Sequence, residues 1–267
     1  MRKSNKQVEL EHRILKRLSD KALSIAEVML NDPEIQAMQE YANIVAIKRL
    51  GYNDHGPVHM RKSALNALIM FDLLHKSGIK FNLEKEKIGS VEDSKIAVLM
   101  ATLLHDIGMA VTRENHEVLS IILSLPTIER IMGQFYRDDI FKRSAIKSII
   151  VEGIIGHMAT QEVYTIEAGL VLIGDGCDME KGRARIPALL SKPPQIGDIH
   201  KHSAGSIQKV TITEGEKKPI KIVVSMKESV GLFQIEEVLF PKISSSPVKP
   251  YIELFGDVNG ERLLQYL

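Results

Sequence analysis

Apolar residues recur at the spacing of an α-helix along the first two thirds of the chain, whereas the last quarter contains segments with the alternation of β-strands. Pro33 and Pro57 stand where a helix would begin, and Gly78 stands where one would end. We therefore predict helices over residues 8–30, 33–50, 57–77, 94–108, 114–125, 138–157 and 165–181.

The pattern changes near Pro187. Residues 189–206 are rich in proline, glycine and serine, which is typical of a linker. Beyond them, the sequence predicts strands over residues 207–213, 219–226 and 249–258, a helix over 231–243 and a last short helix over 260–267. The predicted fold class is mainly α, with a helical domain over residues 1–190, a linker over 191–204 and a small α+β domain over 205–267.

Composition and charge argue against several classes of protein. The chain has 267 residues, of which 44% are hydrophobic and 26% charged, as expected for a soluble globular protein with one or two domains. Its net charge of +1 gives no field that would attract nucleic acid or a membrane surface. No apolar run is long enough to span a bilayer, and the N-terminus lacks the apolar core of a signal peptide. Together with the single cysteine, Cys177, these features predict a cytoplasmic protein that binds no membrane and no nucleic acid.

Several groups that bind metal ions stand at predicted helix ends or inside apolar segments. Burying an imidazole or a carboxylate is costly unless the group is paired or bound to a metal ion. A set of imidazoles and carboxylates suits Mn, Fe, Zn, Co or Ni. The residues concerned are His59, His105, Asp106, His116, His157 and Asp175. The alternative for the adjacent His105 and Asp106 is a helix that ends at Gly108 with both side chains in solvent.

Asp175 lies in the apolar segment GLVLIGDGCDM, between Gly174 and Gly176. Glycine inside a helix costs about 1 kcal/mol relative to alanine. Two glycines around one carboxylate therefore indicate that another group approaches closely there. The alternative is that Asp175 caps a helix or pairs with a buried arginine, and the spacing alone leaves both interpretations open.

Three segments, GYNDHGPVHM, LLHDIGM and LVLIGDGCDM, together resemble the HD-domain metal-dependent phosphohydrolases. The resemblance covers about residues 50–186 and implies an HD-type helical bundle in which His59, His105, Asp106 and Asp175 hold one metal ion. His116 and His157 look like the further histidines of members that hold two ions, with Asp106 as the bridge. Several such members have adjacent histidines late in the bundle, whereas Met158 follows His157 here. The implied cofactor is a divalent transition metal, as one or two ions.

The same resemblance implies hydrolysis of a small phosphate ester. The expected catalytic residues are Asp106, His55 and Arg183. Asp54 and His55 precede His59 closely, where they are expected to orient a ligand or contact the leaving group, unless Asp54 only caps the loop. A transferred phosphoryl group also needs positive charge around it. The candidates for binding it are Arg61, Lys62, Lys181, Arg183 and Arg185. The alternative for these basic residues is a solvated helix end.

Two functions from different classes remain open at this point. The expected one is a phosphomonoesterase or phosphodiesterase that acts on a nucleotide or a related ester, although no Walker loop or Rossmann fingerprint specifies a nucleotide. The alternative is a non-catalytic module that binds a metal ion or a nucleotide and serves signalling or assembly. The predicted helix over residues 231–243 is apolar on more than one side, so the C-terminal domain is expected to support a homodimer or regulation and to supply no metal ligand.

Overall fold

The computed structural model of this chain describes residues 3–180 and 199–267. Nine α-helices lie in the first of these ranges. They are α1 (Asn5–Leu15), α2 (Asp20–Asn31), α3 (Pro33–Lys48), α4 (Pro57–Lys76), α5 (Asn82–Lys85), α6 (Val91–Leu104), α7 (His116–Phe135), α8 (Ile140–Gly156) and α9 (Ile166–Gly176). A 3₁₀ turn, Ile107–Ala110, follows α6.

The second range begins with a helix and continues into a four-stranded sheet. Its elements are α10 (Ile199–Ser206), β1 (Ile207–Glu214), β2 (Ile220–Met226), α11 (Leu232–Gln234), α12 (Phe240–Ser244), β3 (Ile252–Val258) and β4 (Arg262–Gln265). The strand order is β1-β2-β3-β4, with β2 and β3 parallel and the other two pairs antiparallel. A π-helical turn, Ile235–Leu239, joins α11 to α12, so this helical segment forms the crossover between the parallel strands. The predicted fold class, mainly α followed by a small α+β part, is confirmed.

Helices α4 and α6 form the centre of the helical part, where α4 packs against α9, α6 and α1, and α6 packs against α8. Every residue of α6 from Ile96 to Leu104 is buried, which explains the unbroken apolar run in this segment. Ser90 and Asp93 form a reciprocal capping box at its first turn. The central helices are therefore also the ones whose ends carry His59, His105 and Asp106.

Within residues 260–267, where the sequence predicts a helix, Arg262–Gln265 form strand β4. Asn259 and Gly260 both have positive φ, and Glu261 N donates to Val258 O, so the chain reverses in a tight turn. An Asn-Gly pair is a strong hairpin signal because both residues tolerate this conformation. The turn brings β4 against the edge of β3, whose backbone groups pair with it.

Three other boundaries differ from the prediction. The apolar pattern over residues 8–30 belongs to two helices, which are separated between Leu15 and Asp20. Helix α7 continues past residue 125 to Phe135 because Ile128, Ile131 and Met132 extend its buried face at helical spacing. Residues 199–206, predicted as the end of a linker, form α10, and the preceding part of that linker lies outside the described residues. The division into domains stays a prediction.

Helix α7 is long and apolar enough, by length and composition alone, to cross a membrane, and it is the one such helix among the described residues. The core helices of soluble proteins meet the same criteria, so a single helix of this kind is weak support for a membrane segment. The first residue of α7, His116, is buried among polar groups, and α7 packs against α8. The cytoplasmic location stays a prediction.

Candidate metal centre

Five helix ends meet at one buried point of the helical part. His59 lies in the first turn of α4, His105 and Asp106 directly follow α6, and His116 begins α7. His157 directly follows α8, and Asp175 lies in the last turn of α9. The six residues predicted as metal ligands therefore come together, although they are far apart in the sequence.

The cluster consists of two overlapping groups that could each hold a metal ion. One group is His59, His105 and Asp106, and the other is Asp106, His116 and His157. All five residues are buried, and within each group the potential ligand atoms lie within 4.8 Å of one another. Asp106 belongs to both groups, which is the bridging position that the resemblance implied.

Each histidine of the cluster is held through its Nδ1 atom. These atoms lie 2.7 Å from Asp178 Oδ2 (His59), 2.8 Å from Thr102 O (His105), 2.9 Å from Arg113 O (His116) and 2.6 Å from Ile154 O (His157). An oxygen acceptor at this distance fixes the tautomer in which Nδ1 carries the proton. Hydrogen bonds of this kind orient metal-binding histidines in proteins and leave the Nε2 lone pair for the ion.

The Nε2 atoms of the four histidines face each other in two pairs. His59 Nε2 lies 3.2 Å from His105 Nε2, and His116 Nε2 lies 3.0 Å from His157 Nε2. Two nitrogen lone pairs at such a distance repel each other unless a proton or a metal ion lies between them. The arrangement therefore favours a cation at each pair.

Asp106 lies between the two pairs. Its Oδ1 atom is 3.1 Å from His116 Nε2 and 3.3 Å from His157 Nε2, and its Oδ2 atom is 3.1 Å from His59 Nε2 and 3.3 Å from His105 Nε2. Oδ2 is buried and accepts no hydrogen bond among the described residues. A buried carboxylate oxygen without a donor is costly unless a cation satisfies it, so Asp106 fits a bridge between two ions.

Asp175 closes the first group. Its Oδ1 atom is 3.1 Å from His59 Nε2 and 3.6 Å from His105 Nε2, and its Oδ2 atom accepts a hydrogen bond from Lys242 Nζ. A Cβ atom on Gly174 would lie 2.9 Å from Ser63 O, and one on Gly176 would lie 3.0 Å from Lys242 Cδ. The close approach that the two glycines predicted is confirmed on both sides of Asp175.

The electrostatics of the cluster favour positive charge. Burial lowers the pKa of His105, but Asp106 and Asp175 outweigh burial and raise this pKa to about 9. At His157 burial dominates and lowers the pKa to about 4. Burial raises the pKa of Asp106, yet His105 and His55 outweigh it and hold this pKa well below its usual range. The carboxylates are therefore ionised, and a divalent cation would replace the proton that they favour on His105.

The predicted residue His55 lies beside the cluster. Its ring centroid is 5.8 Å from that of His59, and its Nδ1 lies 2.6 Å from Asn53 O. Asp54 accepts a hydrogen bond from Gly56 N, which is the loop-capping role that the sequence left open. The catalytic role of His55 stays a prediction.

The predicted phosphate-binding residues have different positions. Arg61 is 1% exposed, and its guanidinium donates to Glu11, Gln36 and Gln39 side chains and to Pro57 O, so it stabilises the packing of α4 in a place where no substrate reaches it. The prediction for Arg61 failed because the sequence does not show which face of α4 is buried. Lys62 Nζ is 3.4 Å from Glu180 Oε1 and is partly exposed. Lys181, Arg183 and Arg185 lie outside the described residues.

Sequence reasoning missed three residues that touch the cluster, which are Asp178, Arg113 and Lys242. Arg113 Nη1 is 3.4 Å from His116 Nε2, and its guanidinium also contacts Met158 Sδ and the ring of Tyr52. The only local signal for Asp178 is its place three residues after Asp175, one helical turn away. Lys242 has no local signal because it comes from the C-terminal part of the chain.

Comparisons with known proteins find a relative whose name states no activity. The "Uncharacterized protein MJ1020" of Methanocaldococcus jannaschii is 38% identical over 238 residues, which cover 89% of this chain and 90% of the relative. No family model matches the chain. No solved structure matches it either. The relative's name states no activity, so the chemistry has to be argued from the geometry of the cluster.

Proposed function

We propose that this chain, which belongs to the same family as protein MJ1020 of Methanocaldococcus jannaschii, is an HD-type metal-dependent phosphohydrolase. The observation that supports this proposal best is the convergence of four histidine Nε2 atoms on both oxygens of Asp106. The proposed substrates are small phosphate esters, such as nucleotides, cleaved as monoesters or diesters.

The residues fit two divalent ions of the Mn, Fe, Zn, Co and Ni group, since they offer neutral imidazoles and carboxylate oxygens. His59, His105, Asp106 and Asp175 would hold the first ion, and Asp106, His116 and His157 the second. Bound ions of this type lower the pKa of a coordinated water and stabilise the negative charge of a phosphoryl group. A ligand shared by both ions makes Asp106 the residue whose loss affects the whole centre.

The chain's own residues orient and hold the substrate in this proposal. Arg113 Nη1 lies 3.4 Å from His116 Nε2, and its side chain is only partly buried, which places a guanidinium beside the second ligand group. A guanidinium binds phosphate oxygens in a bidentate manner, which a lysine ammonium does not reproduce. His55 lies beside the cluster, with its ring centroid 5.8 Å from that of His59, and the proposal assigns to it the exchange of a proton with the leaving group.

Metal analysis of the purified full chain, followed by a panel of phosphomonoesters, phosphodiesters and nucleotides, tests the proposal. We expect up to two transition-metal ions per chain and turnover of at least one class of ester. Asp106→Ala should lose the metal and the turnover together, while Asp138→Ala, at an exposed position, should lose neither. Turnover by metal-free Asp106→Ala protein would exclude metal-assisted hydrolysis. Stable metal binding without turnover of any ester would instead favour the non-catalytic module.

Arg113→Lys tests the proposed phosphate contact separately. We expect a higher KM or a lower kcat without release of metal, because the charge remains and the bidentate geometry is lost. Arg183→Lys is the comparison, since Arg183 is the catalytic candidate that lies outside the described residues. Unchanged kinetics for Arg113→Lys, together with altered kinetics for Arg183→Lys, would move the phosphate contact to Arg183.

A further inference from the structure

Lys242, in α12, is a buried lysine that reaches the metal centre from the C-terminal part of the chain. It is 7% exposed, and its Nζ atom donates to Asp175 Oδ2 and, at 2.8 Å, to His157 O. Lysine is almost never fully buried unless its charge is paired. The side chain is therefore held in place by the two residues that it contacts.

The backbone of α9 leaves room for this contact. Gly169 and Gly176 are seven residues apart and so lie on one face of the helix. A Cβ atom on Gly169 would lie 2.4 Å from Ser246 Oγ, and one on Gly176 would lie 3.0 Å from Lys242 Cδ and 3.2 Å from Leu239 Cδ1. The C-terminal segment thus packs directly on a glycine face of α9.

The contacts of Lys242 leave the metal-binding atoms of Asp175 and His157 turned to the cluster. Asp175 directs Oδ1 to His59 and His105 while Oδ2 accepts from the ammonium group. His157 directs Nε2 to His116 and Asp106 while its backbone oxygen accepts from the same ammonium group. One side chain therefore contacts one residue of each ligand group.

We infer that Lys242 is a positioning residue of the metal centre, which orients Asp175 and His157 for the two ions. The inference rests on the metal centre of the proposed function and adds the residue that couples it to the C-terminal part. Groups that orient metal ligands by hydrogen bonds typically change metal affinity about 10- to 100-fold when they are removed. The C-terminal part thus sets how tightly the ligands bind.

Titration of the full chain with Mn²⁺, followed by electron paramagnetic resonance, measures this effect without any substrate. Lys242→Met keeps an unbranched apolar side chain that ends at Cε and removes the ammonium group. We expect its Mn²⁺ dissociation constants to rise about 10- to 100-fold. Lys227→Met, at an exposed position of the same part of the chain, should bind Mn²⁺ like the wild type.

A second variant keeps the test decisive if Lys242→Met fails to fold by circular dichroism. Gly176→Ala retains the lysine but places a methyl group 3.0 Å from Lys242 Cδ, so it should weaken Mn²⁺ binding in the same direction. Gly133→Ala, where a Cβ atom meets nothing within 4 Å, is the matched control. Wild-type affinity in folded Lys242→Met, or in Gly176→Ala, would overturn the inference and leave the metal centre standing. Absence of Mn²⁺ binding in the wild type would overturn both this inference and the proposed metal centre.

Discussion

The Nδ1 atoms of the four histidines face away from the cluster, and hydrogen bonds to these atoms fix the orientation of each ring. Three of the four Nδ1 atoms donate to the backbone carbonyl three residues earlier in the chain, and the fourth donates to a side chain, Asp178. Such a nearby backbone acceptor fixes the ring as soon as the local backbone has formed. His59 instead depends on a residue 119 positions away, so its orientation requires the tertiary structure.

Arg61 shows at the same scale how a basic residue near a site can be structural. Its guanidinium is buried beside Glu11, with Gln36 and Gln39 completing the hydrogen bonds. Removing one partner of a buried ion pair costs about 3–5 kcal/mol, because the other charge stays buried without a partner. We expect Arg61→Met to lower the free energy of unfolding by about 3 kcal/mol, the lower end of this range, because Glu11 keeps its ion pair with Lys3.

Denaturant unfolding of Arg61→Met measures that change, and the steady-state KM of the folded fraction is the control. An unchanged KM is expected because the guanidinium faces the α1–α3 side of α4 rather than the cluster. A raised KM with wild-type stability would restore the substrate-binding role that the sequence predicted.

At the scale of elements, the contacts of the HDIG segment show why a glycine stands at position 108. The 3₁₀ turn after α6 crosses the first turns of α7, where Gly108 N donates to Ser120 Oγ at 2.8 Å. A Cβ atom on Gly108 would lie 1.9 Å from His116 O and 2.6 Å from Ser120 N. The absence of a side chain at Gly108 therefore sets the distance between Asp106 and His116.

Gly108→Ala should push α7 away from the turn, and overpacking of this kind typically costs about 1–3 kcal/mol. We expect the second ligand group to weaken before the first, so that the bound Mn²⁺ falls from two ions towards one at limiting concentration. Gly133→Ala is the control, because Gly133 lies in α7 and an added Cβ atom meets nothing within 4 Å there. Equal loss of both ions would mean that the turn positions the whole centre.

The sequence predicted those elements and ligands that carry a local signal. Pro57 before His59, the HDIG segment and the glycines around Asp175 each mark a helix end or a close contact within a few residues. The Asn259–Gly260 turn carried such a signal too, but the apolar residues after it were interpreted as a helix. Long-range contacts give no local signal, which is why Lys242 was missed and Arg61 was misplaced. Arg113 was missed although it lies only three residues before His116.

For the whole molecule, the ligands of the cluster come from five helix ends, so two bound ions would together connect α4, α6, α7, α8 and α9. A ligand that binds only the folded state stabilises it by mass action, by about 2.7 kcal/mol at a concentration one hundred times its dissociation constant. We expect the unfolding midpoint of the full chain to rise on addition of Mn²⁺ and to fall on chelation.

Differential scanning calorimetry with and without a chelator measures this shift, and Asp106→Ala should show none. An equal shift in Asp106→Ala would place the stabilising ion elsewhere in the chain. The same samples report oligomeric state by light scattering, which tests the homodimer expected from the sequence.

The order of the residues along the chain has a consequence for the newly made protein. Lys242 follows Asp175 by 67 residues, and all the proposed ligands come before it. At a synthesis rate of about 5–20 residues per second, roughly 3–13 s pass between the addition of Asp175 and that of Lys242. During that interval a nascent chain on the ribosome carries every ligand but lacks the lysine that orients two of them. Full metal affinity would therefore be reached only after Lys242 has been added and has packed against α9.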